Sequence, residues 1–593
     1  MTYQQKIAAL RHEMKTHQVD AYLIPSSDPH ISEYLPDRYK SIEWLSGFTG
    51  SAGTLVITAD FAGLWTDSRY FVQANEQLAN SGFELVKLKV QGAPEYADWM
   101  VEHLKAGAIV AFDGKSASQY LADILIQSVK ATGISVRGDL DLLDIIWKDR
   151  PALPTAQAYL LSSEETGQGT SEKIASIRQQ MKKQGAEYHV ISSLDDLAWA
   201  LNIRGSDVSC NPVVLGFLLI SMSSAKLYID LTKLSSEAVN ELESAGIETH
   251  EYENVWEALA TLPEGAKLLI DPKRTCHTLF TKAPSTVIRI GTINPSANFK
   301  ALKNEVEIQF TRETMIQDGV ALTRFFRWLE TEITGSQAQT EISIAEKLRD
   351  FRAEQEGFVG ESFDTIAGYL EHGALPHYKA TEASNGHLQP HGLLLIDSGG
   401  QYRTGTTDIT RVVSLGKIQA QEKKDYTLVL KGMIEGSTTI YPKNTRGYQI
   451  DAITRKPLWD NYRNYGHGTG HGVGFFLNVH EGPQVLNTAP IDVPLQPGMI
   501  SSIEPGLYRE GQYGIRIENL VLSKNTEENY FGQFMEFETL TICYIETSLI
   551  QKELLDQKHI DWLNSYHTTV YDRLSAHLEE DDRNWLKEKT KSI

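Results

Sequence analysis

Along the chain, apolar positions switch between a period near 3.6 and a period near two, and the switches divide it into segments. Residues Gln4 to His17 repeat at helical spacing, and VDAYLIPSSD then gives a strand over Ala21 to Pro25. SGFTGSAG, residues 46 to 53, reads as a glycine turn into strand TLVIT, followed by strand GLWTD and helix RYFVQANEQL. This run is not GxGxxG and leads into a strand rather than a helix, so a phosphate cradle is not expected. Two prolines in DRPALPTAQAY, residues 149 to 159, mark a boundary. The same plan then repeats: a helix over Ser171 to Gln184, strand AEYHVIS, the apolar run from Val213, and strand KLYID ending at Asp230. VDAYLIPSSD is weakly like AEYHVISSLD, and GLWTD is weakly like KLYID, in the same order. The pattern predicts two related α/β domains, residues 1–155 and 156–298. GTINPSANFKALKNEVEIQ marks the second boundary. From Lys303 a long helix is predicted to about Leu329, with Val306, Phe310, Ile316, Val320, Leu322 and Phe326 near helical spacing. Helices and strands alternate through residues 299–593, and the tail EEDDRNWLKEKTKSI reads as a charged, solvated helix.

Charge stands in an odd place within this last part. LLLIDSGGQYRTGTTDITR, GHGTGHGVGFFLNVHEGP and SSIEPGLYREGQYGIRIENL set Asp397, Asp408, His471, Glu504 and Glu518 in apolar or glycine-rich strand patterns. A buried carboxylate costs several kcal/mol unless a cation or hydrogen bonds compensate it. Asp397 and Asp408 are eleven residues apart, with GGQYRTGTT between them, which suits a tight hairpin or a bulge. Such a hairpin brings both to one end of paired strands. A single Asp there also serves as a turn or cap, and Glu504 or Glu518 taken alone also fits an outward-facing strand position. Together, four carboxylates and one imidazole balance two divalent cations. An oxygen-rich set with one nitrogen and no thiolate suits manganese, magnesium or cobalt. Two such ions can hold a bridging hydroxide at neutral pH and polarise a carbonyl. If it is a ligand that borders that hydroxide, Glu504 can act as general base.

Composition narrows the class further. The 593 residues predict two to four domains, and 41% hydrophobic with 22% charged residues describes an ordinary globular protein. A net charge of −21 argues against nucleic acid or an anionic membrane as a partner. The longest apolar run, VVLGFLLISM, is too short to span a bilayer. Cys210, Cys276 and Cys543 form no CxxC and no disulfide framework. The opening helix lacks a secretory pattern, so a reducing cytoplasm is the expected compartment.

The motifs IDSGGQY, TTDITR, GTGHGVG, SIEPGLY and GIRIENL resemble those of the metal-dependent "pita-bread" peptidases, which include methionine aminopeptidase, prolidase and aminopeptidase P. IPSSDPHISEY, SGFTGSAGTLVIT and LWTDSRYFVQA resemble the first domain of the three-domain, cytosolic Xaa-Pro aminopeptidases. The resemblance implies an α+β pita-bread catalytic domain after the two α/β domains. It implies two manganese ions held by Asp397, Asp408, His471, Glu504 and Glu518, all of them intact. It assigns His377, in LPHY, and His480, in NVHEGP, to substrate contact and stabilisation of the tetrahedral intermediate. It assigns Arg69 to peptide contact, and it puts His467 among the substrate-binding residues, just behind the ligands. Read without the resemblance, His377 is better explained by a structural role than by a catalytic one. The expected activity is removal of the N-terminal residue from peptides with proline second, by a homodimer. Prolidase shares the five ligands but usually carries one N-terminal domain. Creatinase-like chemistry works without the metals, and non-catalytic pita-bread binders have lost the ligands.

Overall fold

The structure is a computed structural model that describes residues 1–593 apart from residues 91, 334, 336 and 337. The chain divides into two compact units, Met1–Ser163 with Gln168–Ala297, and Asn298–Ile593 with Glu164–Gly167.

The first unit holds two six-stranded sheets. Strands β1 (Ala21–Pro25), β2 (Thr54–Thr58), β3 (Ala62–Thr66), β4 (Glu84–Lys87), β5 (Ile109–Phe112) and β6 (Ser135–Arg137) lie in the order β4-β3-β2-β1-β5-β6. A short strand β7 (Tyr159–Leu160) follows. Then come β8 (Tyr188–Ile191), β9 (Ile203–Arg204), β10 (Gly216–Ser221), β11 (Ala225–Ile229), β12 (Ile247–Glu251), β13 (Lys267–Ile270) and β14 (Ile288–Gly291). β7 pairs with β9, and the others form the sheet β12-β11-β10-β8-β13-β14.

The senses of pairing repeat as well. β1 is antiparallel to β2 and parallel to β5, as β8 is to β10 and β13. The inner hairpins β2–β3 and β10–β11 are antiparallel, and the outer strands β4, β6, β12 and β14 add in parallel. The faint sequence likeness falls on equivalent strands, β1 with β8 and β3 with β11. β1 to β3 are buried along their whole length because both faces of the sheet are covered. Tyr22, Ile24, Leu55 and Ile57 pack with Ile7, Leu10 and Met14 of the first helix, while Ala21, Leu23 and Val56 pack with Met100 and Leu125 on the other face. That first helix, Tyr3–Thr16, starts where Thr2 and Gln5 form a reciprocal cap. The glycine run begins as a helix ending: Gly47, at φ 82°, caps Ser41–Ser46 in the left-handed region.

The second unit opens with the long helix, Glu305–Ile333. Its buried seam runs through Ile308, Met315, Leu322, Phe325, Phe326 and Leu329. Val306, Phe310 and Ile316, expected on that seam, are only half-buried. The remaining strands are β15 (Phe358–Glu361), β16 (Ile366–Tyr369), β17 (Leu393–Ser398), β18 (Gly400–Tyr402), β19 (Gly405–Thr406) and β20 (Ile409–Ser414). They continue with β21 (Tyr441–Pro442), β22 (Gly470–Gly472), β23 (Glu481–Leu486), β24 (Ile500–Ile503), β25 (Gly506–Arg509), β26 (Tyr513–Arg516), β27 (Asn519–Asn529) and β28 (Gly532–Thr539). The sheets are β15-β18-β19, β16-β17-β20, β21-β28-β27-β24-β22-β23 and β25-β26. Helices Ala420–Ser437 and Gly447–Trp459 pack against them in one continuous core. The terminal helix, Glu580–Lys589, is anchored rather than simply solvated. Leu586 is buried, Trp585 meets Tyr544 edge-on, and Asp581 and Asp582 pair with Arg327.

Candidate metal centre

The four candidate carboxylates sit at or beside strand ends, where a fixed backbone aims a side chain without interrupting the ladder, and His471 lies within a short strand. In the antiparallel pair β17–β20, Asp397 stands opposite Thr410 and Ser398 opposite Ile409. Asp397 therefore lies at the same end of the pair as Asp408, the residue before β20. The link between them is not one tight hairpin. β18 and β19 leave the pair, form their own small hairpin and join β15 in a separate sheet. Tyr402 in that hairpin donates its hydroxyl to Asp318 of the long helix at 2.8 Å, and Asp318 pairs with buried Arg352 at 2.7 Å. At the tip, the Thr404 and Thr314 hydroxyls are 2.8 Å apart.

Glu504 and Glu518, read from the sequence as lying within strands, flank them instead. Glu504 follows β24, Glu518 precedes β27, and Ile503 pairs with Asn519, so the two carboxylates leave the ladder side by side. The Glu504 N–H donates to the Thr469 carbonyl at 2.7 Å, and the Glu518 N–H donates to the Thr410 carbonyl at 3.1 Å. His471 lies on β22 beside β24. Its neighbours must be glycine: a Cβ on Gly470 would stand 1.9 Å from the Ser502 carbonyl oxygen, and one on Gly472 2.2 Å from that of Glu481.

These elements bring ligand atoms of Asp408, His471 and Glu518 within 4.8 Å of one another. His471 Nε2 is 3.4 Å from Asp408 Oδ2 and 3.5 Å from Glu504 Oε1. Nδ1 of the same ring donates to the Gly472 carbonyl at 2.9 Å, which leaves Nε2 to face the carboxylates. Asp397 enters through Arg516, whose Nη2 donates to Asp397 Oδ2 at 2.6 Å. The Thr410 hydroxyl donates to Glu518 Oε2 at 2.7 Å.

The donor set fits divalent cations. Asp397 Oδ1 and Glu518 Oε1 are buried and lack a hydrogen-bond partner, whereas buried polar atoms are ordinarily satisfied. Burial pushes the Glu518 carboxyl well above the usual range, and the charges of Asp408, Glu504 and Asp397 add to it. Burial also raises Asp397 and Glu504, against the pull of Arg516 and His471. Burial opposes charge on His471, but Asp408 and Glu504 overcome it and raise the imidazole to about 9. Crowding and burial thus disfavour the charged forms of Asp397, Glu504 and Glu518, a cost that bound cations would offset.

The His480 ring meets that of His471 at 4.3 Å and 82°, and Glu481, next in the chain, is buried against Lys303. His467 Nδ1 donates to the Gly468 carbonyl, so Nε2 accepts from the Tyr508 hydroxyl at 2.7 Å. Tyr508 also accepts from Arg516 Nη1 at 2.7 Å, which joins His467 to Asp397 through two side chains. His377 lies on the loop after the short turn Leu370–Ala374, next to Pro376, whose carbonyl accepts from Arg516 Nη2 at 3.2 Å. Arg69 belongs to the first unit, where it grips Asp67 through two contacts of 2.8 Å.

Thr410, Arg516 and Tyr508 were not anticipated from sequence. Thr410 stands two residues after Asp408, and Arg516 two before Glu518. Side chains two apart on extended backbone share a face, so strand period alone could have marked both.

Among known proteins, the model of metallopeptidase family M24 matches residues 309–525, and that of the C-terminal region of this peptidase family matches 533–593. Two models of the creatinase/prolidase N-terminal domain match 6–146 and 149–307. A probable Xaa-Pro aminopeptidase P of Sordaria macrospora is 38% identical over 99% of this chain and 98% of its own. The crystal structure of an X-prolyl aminopeptidase from Caenorhabditis elegans, a cytosolic enzyme with a di-nuclear active site, superposes with a TM-score of 0.95 at 34% identity over all of both chains. An Xaa-Pro dipeptidase from Bacillus anthracis shares the fold over 64% of this chain, with a TM-score of 0.51 and 23% identity.

Proposed function

The chain belongs to metallopeptidase family M24, and from that premise we propose that it is an Xaa-Pro aminopeptidase, removing the N-terminal residue of peptides whose second residue is proline. The observation that carries this reading is the full-length likeness to Xaa-Pro aminopeptidases, through both N-terminal sheets and the pita-bread unit. The dipeptidase likeness stops at about two thirds of the chain. Asp397, Asp408, His471, Glu504 and Glu518 would hold two divalent ions, with manganese the reading their oxygen-rich set favours. When bound, such ions supply an activated water and a polarised scissile carbonyl.

The chain's own groups do the rest. Glu504 takes the proton of the attacking water and passes it to the leaving nitrogen. That nitrogen belongs to the proline ring and carries no hydrogen of its own. His377 and His480 donate to the oxyanion and to the leaving group. Arg69 anchors peptide beyond the proline, and His467 holds Tyr508 and Arg516 behind Asp397. The domains divide near residues 155 and 298. A cytosolic homodimer is the working assembly in this reading. Among the described residues no helix is long and apolar enough to cross a membrane.

The test compares an X-Pro-Y tripeptide, an X-Pro dipeptide and an X-Ala-Y control with manganese present. X-Pro-Y is expected to be cleaved between X and Pro, with the other two poor substrates. Arg69→Ala is expected to lower kcat/KM for the tripeptide about tenfold, the scale of one charge-assisted hydrogen bond, and to spare the dipeptide. A preference for the dipeptide, together with an inert Arg69→Ala, would make the protein a prolidase.

A further inference from the structure

The loop that carries His377 is held by a buried carboxylate outside the metal centre. Glu341 is the first residue of helix Glu341–Ala353, and its side chain has no exposed surface. Its oxygens collect four donors. Oε1 accepts from the Tyr369 N–H at 2.8 Å and from His372 Nδ1 at 2.8 Å. Oε2 accepts from the Gly386 N–H at 2.7 Å and from the Tyr378 hydroxyl at 2.8 Å. The Tyr378 proton is shared with the Ser384 carbonyl at 2.9 Å. All four donors belong to residues 369–386, the segment that carries His377. The His372 and Tyr378 rings stack at 4.5 Å.

The far side of the loop is clamped as well. The Pro376 carbonyl accepts from Arg516, and Gly373 is pressed against Gly514, where a Cβ would stand 1.6 Å from the Gly373 carbonyl oxygen. His377 therefore sits between two pins, Arg516 at the preceding residue and Glu341 at the following one. A carboxylate offers about four lone-pair sites, so this one is saturated by the loop. Sequestering a charge is costly unless it is so compensated. Tying down an ordinary surface loop does not call for it, whereas setting a group to about half an ångström does.

We propose that Glu341 is a positioning residue for His377, fixing the loop so that the imidazole meets the oxyanion of the peptide undergoing cleavage. The inference rests on the reading of His377 given above. Its test uses the full-length, metal-loaded protein with an X-Pro-Y substrate. Glu341→Gln keeps the volume but turns an NH2 toward two donors. It is expected to lower kcat about tenfold to a hundredfold, the scale of an ångström of misplacement, with KM changed less than about twofold. Tyr378→Phe keeps the ring stack and removes one donor. It is expected to lower kcat by about threefold to tenfold, and it preserves the test if Glu341→Gln fails to fold. In a His377→Ala background, either change is expected to alter kcat less than about twofold, because residues acting through one group are not additive. Full additivity in the double variants, or wild-type kcat in the folded single variants beside a slow His377→Ala, would overturn the positioning role alone. Wild-type kcat in His377→Ala would overturn the reading of His377 and this inference with it.

Discussion

Stripping the protein of divalent cations is expected to reduce X-Pro-Y cleavage by at least about a thousandfold, with manganese restoring it. Several kcal/mol of transition-state stabilisation are at stake, and each 1.36 kcal/mol is about tenfold in rate. The metal-free site also predicts a readout that does not depend on activity. Asp397, Glu504 and Glu518 are held above their ordinary pKa, and His471 is raised to about 9. A group whose folded pKa is raised contributes stability below its unfolded value and loses that contribution as pH rises through the folded one. The carboxylates and the imidazole therefore act in the same direction, and the metal-free protein weakens from mildly acidic pH upward. Cations replace those protons, so the rise in Tm on adding manganese is expected to be larger at pH 8 than at pH 5.5. At a hundredfold excess over Kd the stabilisation approaches about 2.7 kcal/mol. Full activity in a preparation that elemental analysis finds free of metal would refute this account, as would a Tm indifferent to manganese at both pH values.

Glu504→Gln is expected to lower kcat by at least about a hundredfold, the usual scale for a general base, with a smaller change in KM. The substitution leaves the backbone bond to Thr469 in place and preserves the side chain's shape. It removes one negative charge and the ability to accept a proton. An amide can still face Ser502, which donates to Glu504 Oε1 at 3.2 Å, so the fold gives little reason for local collapse. Metal content must be measured alongside, since a ligand is altered too. A folded, fully loaded Gln variant that turns over at the wild-type rate would remove Glu504 from the proton path.

Strand and helix periods carried the first unit well. Two faint pairs of strand sequences were enough to expect a repeat, because each buried strand must keep its apolar run whatever else drifts. The candidate ligands were legible for the opposite reason: carboxylates in apolar surroundings are expensive and stand out. Less legible was how the chain travels between them. GGQYRTGTT has the composition of one turn, yet it forms a second hairpin in another sheet, because Tyr402 finds Asp318 on a helix some eighty residues earlier. Glu504 and Glu518 read as strand residues because Ile503 and Asn519 beside them are paired, and the period cannot tell a last rung from the residue after it. Glu341 was invisible. A Glu opening a helix is an ordinary choice for its dipole, and the four donors that make it unusual lie 28 to 45 positions away.

The side hairpin between the two aspartates also acts as a ruler. Its ends are the ligand positions 397 and 408, and its far point is docked on the long helix through Tyr402 and Thr404. The eleven-residue interval therefore measures the reach from the centre to that helix. Lengthening or shortening it by one residue touches no ligand, yet it must either pull Asp408 out of line or undock the tip. Across relatives, positions 314 and 404 are expected to vary together while the interval stays constant, as parts of a gauge do when only its contact points wear.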